Sequence, residues 1–380
     1  ADGGGGVEVL QLRQVWSLSC DAPTAPTVAF LPGSKSGPAS SPVSVDVLAV
    51  CLASEPLSAA VARLRAAALR QATALAALLK TSPACRPTAL HFQVAPHLPF
   101  PLSLVLPVPP SKQGEEDPLG PEEGALRGVR ESVHARLFLP MDRPYVRVAQ
   151  AMDFAGPPVG GRLRNVHEGL APSGVKGGSV HLVQGAYDYC HYMQDKFDDD
   201  GWGCMYRSYQ TVISWFRHQH YTALPIQSHE GVQKMLVSMG DKPPRFVGSK
   251  QWIGAMEAAI LLDQYLGVSC KVINVPSGHD LEDKGRELAQ HFDTQGTPIS
   301  IGGGVLAFTI LGVHYNAETS QIKFLVLDPH YTGSEDLGTI QNQSKKNTCS
   351  GIPSVGWHDV SIFRKDSFYN LALPQRPKAI

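Results

Sequence analysis

Apolar residues recur at helical spacing between Leu57 and Lys80. Ala59, Val61, Leu64, Ala68 and Leu69 form one stripe, and the many alanines favour the helical state. Three short apolar runs around it read as strands, at Val45–Val50, Leu90–Val94 and Leu102–Leu106. The mixture predicts a small α/β domain. A further helix is expected over Ala125–Phe138, ended by a turn whose prolines, Pro140 and Pro144, disfavour continuation. From Val180 the texture changes. His181–Gln184 reads as a strand, and Tyr206–Phe216 as a buried helix with Tyr209, Val212, Ile213 and Phe216 on one face. Helices follow at Ala255–Tyr265 and Gly285–His291, with strands at Val268–Val275, Thr297–Ile301 and Gln321–Leu327. Helices covering a mostly antiparallel sheet make this second region α+β.

The breaks in the pattern suggest where the chain divides. Residues 107–124 are Pro, Gly, Glu and Asp with few apolar side chains, an exposed loop, and 153–178 is again rich in glycine and proline. Two domains are therefore expected within the 380 residues, 1–155 and 156–380. The net charge of −1 argues against nucleic-acid binding, which needs a basic excess to neutralise phosphates. There is no polybasic cluster for a membrane surface, and the longest nearly apolar stretch, 301–313, is too short to cross a bilayer. The opening residues lack the features of a signal peptide. Seven cysteines, at 20, 51, 85, 190, 204, 270 and 349, are odd in number, widely spaced and without a Cys-x-x-Cys pair. That pattern fits reduced thiols in the cytosol, and neither a disulfide framework, a metal site nor a cofactor is expected.

Three segments carry chemistry. In Asp198-Asp199-Asp200-Gly201-Trp202-Gly203-Cys204-Met205-Tyr206-Arg207-Ser208 the predicted helix begins just after two glycines, which puts Cys204 at its N-terminus. Unpaired amides and the helix dipole favour an anion there, and a thiolate is the anion a cysteine supplies. Trp202 is expected to close over it as a lid. A strand runs directly into Asp328-Pro329-His330. Residues two apart project to the same side of an extended chain, and Pro329 helps hold it extended, so Asp328 can orient His330 as a base. Tyr192 lies in a third segment, Tyr187 to Asp195, and a tyrosine hydroxyl can donate to a developing oxyanion. Each has a plainer reading: a buried thiol beside a glycine turn, a strand-end turn former, a core aromatic. Gly302-Gly303-Gly304 lacks the lysine of a phosphate loop and reads as a place of close approach. Cys190-His191 lacks a second pair of zinc ligands.

With these segments the sequence resembles the ubiquitin-fold-modifier-specific cysteine peptidases of type 2, which have a papain-like catalytic domain. The likeness rests on Tyr192–Asp195, Asp200–Cys204 with Tyr206-Arg207-Ser208, Gly240–Pro243, Phe246–Gly254, Ile301–Ala307, Leu327–Gly333 and Leu373–Pro377, and runs from about Asp142 onward. It implies Cys204 as nucleophile, His330 as general base, Asp328 as its orienting carboxylate and Tyr192 as oxyanion donor. The implied substrate is the C-terminal glycine of the modifier, in its precursor or on a target lysine. The resemblance also implies a cytoplasmic protein recruited to the cytosolic face of the endoplasmic reticulum. Recruitment would run through an adaptor bound by the N-terminal domain, without direct membrane insertion. Met205, Phe308 and the segment 341–357 depart from the family pattern.

Two other readings compete. Autophagy-type peptidases share Trp-Gly-Cys-Met and Asp-Pro-His, but their cysteine-to-aspartate interval is much longer than that from Cys204 to Asp328. A ubiquitin-directed relative would carry N-terminal zinc fingers, for which this chain has no cysteines. A partner-binding scaffold is the third alternative, and an intact nucleophile, base and orienting group argue against it.

Overall fold

The computed structural model describes residues 45–52, 54–82, 85–94, 97–108, 123–152, 161–342 and 353–378. The chain forms two compact units. The smaller takes its described residues from positions 45–93, 100–107 and 152, and the larger from 94–99, 108–151 and 161–378. The larger unit thus starts well before the expected border at 155. The reason is side-chain anchoring: Arg143 donates to Gln184 (2.6 Å), Tyr221 to the Asp142 carbonyl (3.0 Å) and Arg376 to the Asp142 carboxylate (3.0 Å). The loop expected at 107–124 lies almost wholly outside the described residues, as does most of 341–357.

The smaller unit has one long helix, α1 (Leu57–Thr81), and a two-stranded sheet of β1 (Arg86–Phe92) and β2 (Leu102–Val108). The strand expected at Val45–Val50 does not form. Side chains of α1 take up two of its carbonyls, Gln71 bonding to Asp46 O and Arg63 to Val50 O.

In the larger unit α2 (Arg127–Leu137) stops at Phe138, whose left-handed backbone (φ 53°) caps it. Then follow β3 (Ser179–Leu182), α3 (Cys204–His218), α4 (His229–Ser238), α5 (Ala255–Leu266), β4 (Cys270–Val275) and α6 (Gly285–Thr294). The chain continues through β5 (Ile299–Gly303), β6 (Leu306–Tyr315), β7 (Ile322–Leu327), α7 (Leu337–Asn342), β8 (Val355–His358) and β9 (Tyr369–Pro374). The strands form one sheet in the order β4-β9-β5-β6-β7-β8, with β3 also on β6, and every pairing is antiparallel.

Alternation along the strands builds two cores. On β7, Leu325 and Leu327 join the helices α3, α4 and α5, while Phe324 and Val326 face the other way, with Leu288 and Phe292 of α6. On β6 a register shift between Ile310 and Gly312 resets the alternation, so that Ile310 and Val313, an odd number of residues apart, serve the same core while Leu311 serves the other. The sheet is therefore covered on both faces. The α3 helix is more deeply set than its apolar stripe suggests, since every residue from Cys204 to Phe216 is buried. Its polar side chains find partners inside: Ser208 meets Thr309 (2.8 Å), and Thr211 and Ser214 accept from the Cys190 and Asp188 amides (3.1 and 2.8 Å).

Candidate active site

The turn before α3 is shaped by what glycine permits. Gly201 has φ +78°, a left-handed conformation that residues with a Cβ resist. A Cβ on Gly203 would stand 2.5 Å from Asp199 Oδ2, closer than atoms approach. Two hydrogen bonds to the Asp199 carbonyl close the turn, from Trp202 N (3.2 Å) and Gly203 N (2.9 Å). Cys204 is then the first helical residue, 8% exposed. Trp202 does not form a separate lid. It is buried among Phe197, Tyr206 and His229 with ring centroids 5.3–5.8 Å apart, and so anchors the turn.

The second part arrives from β7. Where that strand ends, Asp328 N donates to Ser354 O (2.7 Å), which fixes the Asp-Pro-His segment against the chain entering β8. Asp328 is fully buried. Its Oδ1 accepts from the His330 amide (3.0 Å) and from His330 Nδ1. With Nδ1 so engaged, Nε2 is the ring nitrogen left for the sulfur, and it has no conventional hydrogen-bond partner. Burial of the ring disfavours its charged form. The hydrogen bond to Asp328, the interaction with the Cys204 sulfur and the charges of both outweigh it and raise the ring to about 9. Phe308 packs edge-on to this ring at 5.6 Å.

Tyr192 completes the group. It is 1% exposed and meets the His330 ring at 5.3 Å and 90°. Its amide donates to Pro329 O (2.9 Å), and the Tyr189 hydroxyl donates to Asp328 O (2.5 Å). The tyrosine loop is thereby docked on the Asp-Pro-His segment itself. All four residues singled out in the sequence stand together.

Cys204 lies in a cleft of about 570 Å³ whose lining includes Gly302, Gly303, Gly304, Trp252 and Phe368. Gly303 is glycine because a Cβ would stand 2.2 Å from the Phe368 carbonyl. Behind Gly302 lies the Met205 methyl, so the buried residue after the nucleophile packs against the glycine wall of the cleft. Trp252, 55% exposed, donates to Gly201 O (3.1 Å), which ties this apolar wall to the nucleophile's turn.

His191 has both ring nitrogens engaged, Nδ1 with the Tyr192 and Tyr331 carbonyls and Nε2 with Glu335 (3.0 Å). It therefore braces the loop. Among the described residues no group of His, Cys, Asp or Glu is arranged to hold a metal. Sequence reasoning passed over Asp199 and Arg207. Both stood in the quoted segment, but three consecutive aspartates give no sign of which one turns inward.

Comparison with known proteins places the site in context. The model of peptidase family C78 matches residues 178–372. A protein of Oryza sativa subsp. japonica named probable Ufm1-specific protease is 43% identical over 88% of this chain and 52% of its own. Ufm1-specific protease 2 of Homo sapiens is 47% identical over 74% of this chain and 59% of its own, and that of Danio rerio 48% over 74% and 69%. The chain thus spans between half and about two thirds of these relatives. The crystal structure of UfSP from C. elegans superposes with a TM-score of 0.66 at 34% identity, covering 84% of this chain and 57% of that one. The larger unit has the papain-like fold of these proteins.

Proposed function

The chain belongs to peptidase family C78, and from that premise we propose that it is a cysteine peptidase acting on the ubiquitin-fold modifier Ufm1. It would cleave after the modifier's last glycine, in the precursor and in isopeptide conjugates with target lysines. The observation that carries this reading is the Asp328–His330 pair turned toward the sulfur of Cys204 at the start of α3.

Cys204 attacks the glycine carbonyl as thiolate. His330, as imidazolium, gives its proton to the leaving amine, so the C–N bond breaks as the C–S bond settles into a thioester. Water then attacks the thioester, with His330 taking its proton, and the thiolate leaves. Tyr192, as the family resemblance implies, and the Cys204 backbone amide are assigned to stabilise the oxygen that gains charge at each step. A cleft lined by Gly302, Gly303 and Gly304 suits a substrate tail ending in glycine, which has no side chain to accommodate.

The smaller unit is assigned to adaptor binding, and the chain to the cytoplasm with recruitment to the cytosolic face of the endoplasmic reticulum. The family resemblance supports this. The test of the activity is cleavage of Ufm1 fusions by the purified chain, beside matched ubiquitin and autophagy-modifier fusions. The Ufm1 fusion should be cut, and Cys204→Ser should lose at least about a thousandfold in rate, as removal of a nucleophile does. Equal cleavage by Cys204→Ser would refute the nucleophile, and preference for another modifier would refute the substrate.

A further inference from the structure

We propose that Asp199, paired with Arg207, is a positioning residue that sets the oxyanion tyrosine against the nucleophile; this rests on the roles given above to Cys204 and Tyr192. Asp199 is fully buried, and its carboxylate takes four hydrogen bonds from three separate parts of the site. Oδ1 accepts from the Met193 amide (2.8 Å), the residue after Tyr192, and from Arg207 Nη2 (3.3 Å). Oδ2 accepts from Arg207 Nε (2.7 Å) and His229 Nε2 (3.0 Å). The carbonyl of the same residue closes the turn that starts α3. One residue thus holds both the Tyr192 loop and the Cys204 turn.

Arg207 strengthens the connection from the helix side. It lies three residues after Cys204, is fully buried, and also donates to the Gln194 carbonyl (3.0 Å) and to Asp195 (3.1 Å). The loop needs holding. Met193, Asp195 and Lys196 all have positive φ (62°, 61° and 58°), a conformation unfavourable for residues with a Cβ. Such backbone persists only where surrounding bonds over-determine it, and Asp199 and Arg207 supply those bonds. An asparagine cannot reproduce the carboxylate: its NH₂ group would face the Met193 amide and Arg207 Nη2 in one orientation, and Arg207 Nε in the other whichever tautomer His229 adopts.

The experiment measures kcat and KM on the modifier fusion for the full chain and for Asp199→Asn, Arg207→Lys, Tyr192→Phe and the double variant Asp199→Asn/Tyr192→Phe. Removing an oxyanion donor typically costs 10²–10³ in kcat, so Asp199→Asn should lose roughly tenfold to a hundredfold with KM within about twofold. The double variant should be no slower than its slower parent, because both changes remove one function. Alkylation of Cys204 by iodoacetamide should stay within about threefold in every variant. Multiplicative losses in the double variant, an unchanged kcat in folded Asp199→Asn, or alkylation falling in step with kcat would each overturn the proposal. If Tyr192→Phe cleaves like the wild type while Cys204→Ser does not, the positioning role falls and the peptidase reading stands. Should the Asp199 and Arg207 variants not fold, hydrogen exchange in the wild-type chain decides. The Met193 amide should be among the slowest of its loop, and exchange at open-coil rates would refute the tie.

Discussion

At the scale of single residues, the site depends on how one imidazole is made basic while buried. His330 binds its proton up to about 9 because Asp328 and the Cys204 sulfur together outweigh burial. Its folded pKa lies above the ordinary value of about 6.5, so the stabilisation is complete below that value and is lost as pH rises through about 9. Hydrolysis should therefore keep its general acid to about pH 9. Asp328→Ala should cut kcat by about 10²–10⁴ and move the alkaline limb of the pH–rate profile to lower pH. An alkaline limb unmoved by this substitution would contradict the role given to the carboxylate. Among the other thiols, burial is the main cause that pushes the fully buried Cys190 to about 11 and the half-buried Cys270 to about 12. The Cys204 helix tip and the Asp-Pro-His spacing were legible because each is a local pattern. Asp199 was not, because its partners at 193, 207 and 229 meet only through tertiary structure.

At the scale of elements, the glycines around α3 make contrasting predictions. A methyl added at Gly203 meets the Asp199 carboxylate, so Gly203→Ala should destabilise by about 1–3 kcal/mol and slow cleavage. At Gly302 the nearest atom is the end of the flexible Met205 side chain, 2.9 Å away, so Gly302→Ala should cost under about 1 kcal/mol. Denaturant unfolding of the two variants checks the ranking, and the reverse order would count against the turn geometry. Most elements of the larger unit were readable from periodicity, α3 and β7 above all. The helices α4 and α7 and the strands β6, β8 and β9 were not expected. The start of β6 lay within an apolar stretch whose residues serve both cores, so it shows no alternation, and β9 is buried along most of its length. Val45–Val50 misled in the other direction: β-branched composition suggested a strand, but among the described residues no strand pairs with it.

At the scale of the whole molecule, the proposed chemistry belongs to the larger unit and the proposed recruitment to the smaller. Leu52, Leu57, Leu69 and Phe100 are each more than 60% exposed in the smaller unit. Replacing them together with serine should leave cleavage of a soluble modifier fusion within about twofold, and should reduce co-sedimentation of the chain with endoplasmic-reticulum membranes from cells. Unchanged co-sedimentation would separate recruitment from that surface. The central claim is that folding delivers the Cys204 sulfur to an imidazole held by Asp328, and the reactivity of that sulfur in the intact chain tests it directly. At pH 6 an ordinary thiol is under about 1% thiolate, so only a sulfur paired with an imidazolium reacts quickly with iodoacetamide. Mass-spectrometric mapping should show Cys204 alkylated at least about tenfold faster than the exposed Cys51, with Cys190 and Cys270 unmodified and the advantage reduced in Asp328→Ala. Alkylation of Cys204 no faster than of Cys51 would contradict the account.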